Sequence, residues 1–496
     1  MSEEEKKEQT EKQAEVPPET KEKVKDNIVE SEHSVTIGGQ AIEYKAVTGT
    51  IALKGGKQDE PEKARASIYF TAYFKQGVAN VEERPLLISF NGGPGSSSVW
   101  LHLGMLGPRR VLSGDVDNLQ PPPYRLIDNE HSLLDVADIL FIDPVSTGFS
   151  RPAPGEKAKE FHGVDQDIES VGDFIRLFVT RYGRWLSPKY LIGESYGTTR
   201  AAGLSGYLQD RHGLYLNGIA LVSVVLNFQT LRFTDGNELP YILFLPTYAA
   251  TAWVHGRLSD DLQADLRATL DEVEAFAAGE YAAALFKGTA LTTDERAAVV
   301  EKLARYTGLS PRYIEQTNLR INIARFVKEL LRDERRTVGR LDSRFKGIDK
   351  DAAGENYEYD PSAAALLGAY TAALNDYVRR ELGFESDLPY EVLTGLYERW
   401  DYGKYQNQFL DVGETLRAAM TKNPFLRVYV ANGYYDLATP YFATEYTINH
   451  LHLDPTLRDH IEMSYYEAGH MMYVHEPSLA ALNDGVRRFI RDRVAR

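Results

Sequence analysis

Apolar and polar positions begin to alternate at Ser34: Val35 and Ile37, then Ala41-Ile42-Glu43-Tyr44, then Ile68 to Phe74. A period of two marks half-buried strands, so these stretches predict antiparallel strands at the start of a sheet. The next runs are almost continuously apolar: Leu86 to Phe90, Ile139 to Ile142, Tyr190 to Ile192, Ile219 to Val222 and, much later, Leu426 to Val430. A strand apolar on both faces needs cover on both, which predicts central parallel strands between two helical layers. Ile168, Val171, Phe174, Ile175, Phe178 and Val179 keep helical spacing, and Thr198 to Gln209 reads as a helix with Ala201, Leu204 and Leu208 on one face. Strands and helices in alternation predict an α/β protein with a doubly wound, mostly parallel sheet.

Between about 241 and 420 this rhythm breaks. Helical spacing dominates there, as in Leu262, Leu266, Leu270, Val273 and Phe276, or from Ala365 to Leu382. The expected organisation is a core made of residues 34–240 and 421–496, with residues 241–420 inserted as a helical cap. Residues 1–33 are rich in Glu and Lys and hold no aromatic side chain. Such a segment buries too little to offset chain entropy and is expected to be a disordered tail, or a docking arm.

Composition narrows the function. The chain of 496 residues is 43% hydrophobic, ample for a large core, and carries a formal net charge of −16. That balance argues against a nucleic-acid partner, which needs clustered Lys and Arg. No apolar run is long enough for a membrane span. With no cysteine there is no disulfide, thiolate metal site or cysteine nucleophile. The start, Met1-Ser2-Glu3-Glu4-Glu5-Lys6-Lys7, has no apolar leader as written. The expected compartment is the cytoplasm, or the periplasm or exterior if a leader was removed before this numbering began.

The chemistry concentrates in Gly193-Glu194-Ser195-Tyr196-Gly197, directly after the apolar Lys189-Tyr190-Leu191-Ile192. By chance alone, G-x-S-x-G recurs in roughly one chain in six of this length. Here it stands between a strand and a helix, where the tight turn lifts a serine hydroxyl clear of the backbone. Ser195 is therefore the candidate nucleophile for acyl transfer. An acid and then a histidine are expected after later strands. Asp436 follows the strand Arg427-Val428-Tyr429-Val430-Ala431, although an aspartate there could equally cap the next turn. His470, one of eleven histidines, comes after the last strand. Asp143 is a competing acid, but it precedes Ser195 and is followed by Pro144. Asn91-Gly92-Gly93-Pro94-Gly95 follows a strand end, where backbone N–H groups could face a developing oxyanion. It lacks the lysine and spacing of a phosphate loop, and an ordinary Gly-rich turn is the alternative.

Asn91 to Ser98, Phe141-Ile142-Asp143-Pro144-Val145-Ser146-Thr147-Gly148-Phe149-Ser150, Gly193 to Gly197, Gly433 to Asp436 and Ala468-Gly469-His470-Met471 occur in this order. In content and order they resemble the serine carboxypeptidase family, the carboxypeptidase Y-like branch of the α/β-hydrolases. The resemblance implies an α/β-hydrolase fold with an inserted helical cap and an enzyme that hydrolyses the C-terminal peptide bond. The implied partner is a peptide with a free C-terminus, and neither cofactor nor metal is implied. It further implies a triad of Ser195, Asp436 and His470, an oxyanion hole from the N–H groups of Gly93 and Tyr196, and binding of the terminal carboxylate by Asn91 and Glu194. Two positions depart from the family pattern. Ser96 stands where a disulfide cysteine is usual, and Met105 where a glutamate usually shares a proton with the counterpart of Glu194. An esterase or acyltransferase on the same triad is the rival activity, and a non-catalytic binding protein of the same fold is the rival class.

Overall fold

The computed structural model describes residues 24–55 and 63–492. Its main sheet contains β1 (Asn27–Ile37), β2 (Gln40–Gly55), β3 (Lys63–Lys75), β4 (Leu86–Phe90), β5 (Asp138–Ile142), β6 (Lys189–Ser195), β7 (Gly218–Val224), β8 (Arg427–Gly433) and β9 (Ile461–Tyr466). They lie side by side in the order β1-β2-β3-β5-β4-β6-β7-β8-β9, and the short strand Arg151–Pro152 also pairs with β3. The pairs from β1 to β5 across β3 are antiparallel, and every pair from β5 onward is parallel.

β1 corrects the expected extent of the tail. Residues 27–33, expected to be disordered, belong to this strand and pair continuously with β2, from Asn27 opposite Thr50 to Ile37 opposite Gln40. Ile28 and Val29 are only half-buried, so ladder hydrogen bonds do much of what apolar burial does elsewhere. Asp26 adds anchors by accepting from the Ala52 N–H at 2.9 Å and pairing with Arg181 at 2.7 Å. The rest of the expected tail, residues 1–23, lies outside the described residues.

Alternate side chains of the central strands feed two apolar layers. Leu87, Ile139, Ile192 and Val222 face one layer, and Ile88, Leu140, Leu191 and Leu221 face the other. The second layer is closed by α1 (Val164–Arg181), through Phe174 and Phe178, and by α2 (Tyr196–His212), through Leu204 and Leu208. Burying each such Leu or Phe contributes about 1.5–3 kcal/mol. Acidic residues in the first turn of α1 and Arg181 in its last complement the helix dipole, while α2 stops at Gly213 in the left-handed conformation.

Residues 241–420 do not behave as one block. α3 (Leu239–Val254) and the helices up to Glu329 build a separate core around Tyr248, Leu270, Val273 and Phe326, with the Tyr248 and Phe326 rings stacked at 4.0 Å. Beyond it, α4 (Pro361–Asp376) packs into the first sheet layer through Leu366, Tyr370 and Leu374. α5 (Gly413–Lys422) packs into the second layer through Leu416 and Met420. Helical periodicity marks an apolar face but not the surface that receives it, so these helices read like the cap in sequence. The first layer is completed by α6 (Glu476–Arg491), through Leu482 and Phe489. Among the described residues, no helix is long and apolar enough to cross a membrane.

β4 ends at Phe90, β6 at Ser195, β8 at Gly433 and β9 at Tyr466. Asn91, Ser195, Asp436 and His470 thus all follow or end the carboxyl ends of parallel strands, the edge where α/β sheets bind their ligands.

Candidate active site

β6 passes into α2 with no intervening loop, and Ser195 is the hinge. Its φ of 60° and ψ of −129° lie where L-residues rarely sit, a strain of about 1–3 kcal/mol. The turn closes because its flanks are glycine: a Cβ on Gly193 would fall 2.2 Å from the Gly197 carbonyl oxygen, and one on Gly197 would fall 2.9 Å from that of Phe90. The Thr198 hydroxyl donates to the Ser195 carbonyl at 2.7 Å and accepts from the Val225 N–H at 2.9 Å, tying the strained turn to the strand end beside it. Ser195 remains partly exposed between the buried Glu194 and Tyr196.

Asp436 and His470 meet: His470 Nδ1 lies 2.7 Å from Asp436 Oδ2. A carboxylate oxygen accepts, so Nδ1 carries the proton and Nε2 is left as the basic nitrogen. The turn-capping alternative for Asp436 also holds, on its other oxygen, where Oδ1 accepts from the N–H groups of Ala438 at 2.8 Å and Thr439 at 3.0 Å. The Thr439 hydroxyl donates to Oδ2 at 2.7 Å. His470 is held from behind, its N–H donating to the Leu341 carbonyl at 2.6 Å and its carbonyl accepting from Ser223 Oγ at 2.7 Å. Burial alone would lower its pKa, but the charge and hydrogen bond of Asp436, with Glu194 adding to them, leave it raised; Arg340 opposes them.

The Asn91–Ser98 loop lies against the start of α2. A Cβ on Gly92 would fall 2.4 Å from the Tyr196 nitrogen, and Gly93 has a φ of 105°, open to glycine. Tyr196 opens the helix, so its N–H has no acceptor within it. The loop is pinned at several points. Arg200 donates to the Asn91 carbonyl at 2.6 Å, and its guanidinium pairs with buried Asp167 at 2.7 Å. Asp143, the rival acid, does not pair with His470; its Oδ1 accepts from the Ser98 N–H at 2.8 Å. Burial pushes the Asp143 carboxyl up to about 7.

Asn91 and Glu194 are joined as well. Asn91 Oδ1 accepts from the Leu101 N–H at 3.1 Å, which turns its Nδ2 toward Glu194 Oε1 at 2.9 Å. Burial pushes the Glu194 carboxyl up to about 7, against His470, Tyr473 and Asn91, which lower it; Asp436 raises it further. Met105 is fully buried, and its carbonyl accepts from Asn129 and Asn483 at 2.8 and 2.9 Å.

Three features had no readable signal in sequence. Tyr473, three residues after His470, is a buried neighbour of Glu194 that lowers the pKa of its carboxyl. Thr439 looks like any turn residue, and Arg200 like the polar face of a helix, until the fold brings Asp436, Asp167 and Asn91 to them.

The serine carboxypeptidase family matches residues 49–481 of the chain. Serine carboxypeptidase-like 45 of Arabidopsis thaliana is 29% identical over 212 residues, 40% of this chain and 39% of that protein. The pheromone-processing carboxypeptidase KEX1 of Saccharomyces cerevisiae is 32% identical over 155 residues, 30% of this chain and 20% of that protein. The chain thus aligns with less than half the length of these curated relatives. The crystal structure of the Saccharomyces cerevisiae prohormone-processing carboxypeptidase Kex1 superposes with a TM-score of 0.56 over 90% of this chain and 91% of that one, at 16% identity. The fold is that of the α/β-hydrolases.

Proposed function

Since the chain belongs to the serine carboxypeptidase family, we propose that it removes the C-terminal residue from peptides through a Ser195-His470-Asp436 triad. The observation that carries this reading is the 2.7 Å contact between His470 Nδ1 and Asp436 Oδ2, on the same sheet edge as the strained Ser195. Ser195 Oγ attacks the last peptide carbonyl as His470 Nε2 takes its proton. Asp436 fixes the imidazole tautomer and stabilises the imidazolium. The N–H groups of Gly93 and Tyr196 receive the oxyanion, with the positive end of α2 behind them. His470 then protonates the departing amine, and water, activated by the same imidazole, releases the acyl group. Asn91 and Glu194 take the terminal carboxylate of the substrate, and a neutral Glu194 accepts that charge without repelling it.

The test is a fluorophosphonate probe on the pure protein, followed by mass analysis of the labelled peptide. The adduct is expected on Ser195, and Ser195→Ala should lose both label and peptide turnover. Substantial hydrolysis by purified Ser195→Ala would remove the nucleophile from the proposal. Met105, standing where the family usually has a glutamate, favours a second reading as an esterase or acyltransferase on the same triad. Equal cleavage of a peptide and its C-terminal amide at every pH would support that reading instead.

A further inference from the structure

Glu194 Oε2 and the Tyr473 hydroxyl are both buried and have no hydrogen-bond partner of good geometry among the described residues, and the two side chains are neighbours that act on each other electrostatically. Their residues are each 4% exposed. Leaving such atoms unsatisfied costs about 1–3 kcal/mol apiece, which asks for an explanation from ligand binding. The neighbouring contacts define the polarity of both groups. Because Asn91 Nδ2 donates to Glu194 Oε1, the proton of the neutral acid belongs on Oε2. Oε2 is then a donor. Tyr473 is a second donor, since burial holds its phenol well above the ordinary value. Gly104 lets its ring lie close, for a Cβ there would fall 2.4 Å from the Tyr473 ring and 2.7 Å from the Tyr370 hydroxyl. The titratable groups around Glu194 are His470, Asp436, Tyr473 and Tyr370. The carboxyl among them, Asp436, is already taken up by His470, Thr439 and Ala438, so it does not share the Glu194 proton in place of the family glutamate.

We propose that Tyr473 is a substrate-binding residue, its hydroxyl and the Glu194 Oε2–H forming a pair of donors for the two oxygens of a peptide C-terminal carboxylate. The inference rests on the carboxypeptidase reading and deepens it. It gives the chain a way to hold a free C-terminus with Met105 in place of an acid.

The experiment compares kcat/KM for one peptide as free acid and as amide, near pH 5.5, on wild type and Tyr473→Phe. Both substrates are run on the same preparation, so a general loss of activity cancels in the ratio. Wild type should prefer the acid, and Tyr473→Phe should shrink that preference about tenfold or more, the weight of a hydrogen bond to a charged group. If wild type shows no preference, the carboxypeptidase reading fails and this role fails with it. If wild type prefers the acid and Tyr473→Phe does so equally, the enzyme reading stands and the role of Tyr473 is overturned. Tyr473→Leu reads the same ratio should the Phe variant fold poorly.

Discussion

The Thr439 hydroxyl and His470 Nδ1 both donate to Asp436 Oδ2, each at 2.7 Å. One oxygen therefore divides its negative charge between a neutral hydroxyl and the imidazole. Thr439→Val removes the competing donor and leaves Oδ2 to His470 alone. The apparent pKa of the acid limb of kcat/KM should rise, by up to about one unit, because one hydrogen bond is worth roughly 0.5–1.5 kcal/mol. An unchanged acid limb in a folded variant would show that Thr439 does not tune the base.

Asp436→Asn keeps the shape of the site but can donate toward His470 Nδ1, which favours the wrong tautomer. The expected loss is about 10⁴ in kcat with a far smaller change in KM. Asp143→Asn is the comparison, because Asp143 holds the Ser98 N–H rather than the histidine. A mild Asp436→Asn beside a crippled Asp143→Asn would reverse the assignment of the acid.

Glu194→Gln separates charge from hydrogen bonding. Its amide oxygen can accept from Asn91 Nδ2, leaving its NH₂ where the acid O–H would be. In wild type, kcat/KM for free-acid peptides should fall as pH rises through about 7, where Glu194 ionises and repels the substrate carboxylate. Glu194→Gln should retain a preference for free acids and lose this alkaline fall. Stability follows the same sign. The folded pKa is raised above the unfolded value, so the contribution of Glu194 is fully present below the unfolded pKa and is lost as pH rises to about 7. The Tm of Glu194→Gln relative to wild type should therefore increase between pH 5 and pH 8. A constant Tm difference would place the Glu194 pKa near its ordinary value.

Arg200 has two tasks, balancing buried Asp167 and holding the Asn91 carbonyl. Arg200→Met strands Asp167 and should cost about 3–5 kcal/mol of stability. The double variant Arg200→Met/Asp167→Leu removes the stranded charge and should recover most of that loss in a denaturant titration. It does not restore the anchor on Asn91, so kcat should stay low. Full recovery of both would mean that the Asn91–Ser98 loop holds its shape without Arg200.

The sheet was legible because its signals are local. The alternation around Val35 and Ile42 and the apolar runs at Leu86, Ile139 and Ile219 reflect which strand faces meet other protein, and that depends on immediate neighbours in the chain. The pentapeptide around Ser195 is local for the same reason, since a tight strand-to-helix turn brings Gly193 and Gly197 into contact within five residues. The start of β1 was not legible, because Glu30, Ser31 and Glu32 are held by pairing with β2 rather than by their own burial. Nor was the division of residues 241–420, where helices of similar pattern pack on different surfaces.

By itself, the sequence determined a strand-and-helix rhythm, a strained serine turn and the order in which serine, aspartate and histidine follow successive strands. Tertiary structure alone decided which Asp436 oxygen faces His470, which end of the Asn91 amide faces Glu194, and that Tyr473 stands beside that acid. Each of these depends on burial and on the direction of hydrogen bonds between distant segments, as from Asn91 to Glu194 or from Asp436 to His470. Backbone conformation is set mainly within a few residues, whereas the proton affinity of a buried carboxyl is set by whatever the fold packs around it.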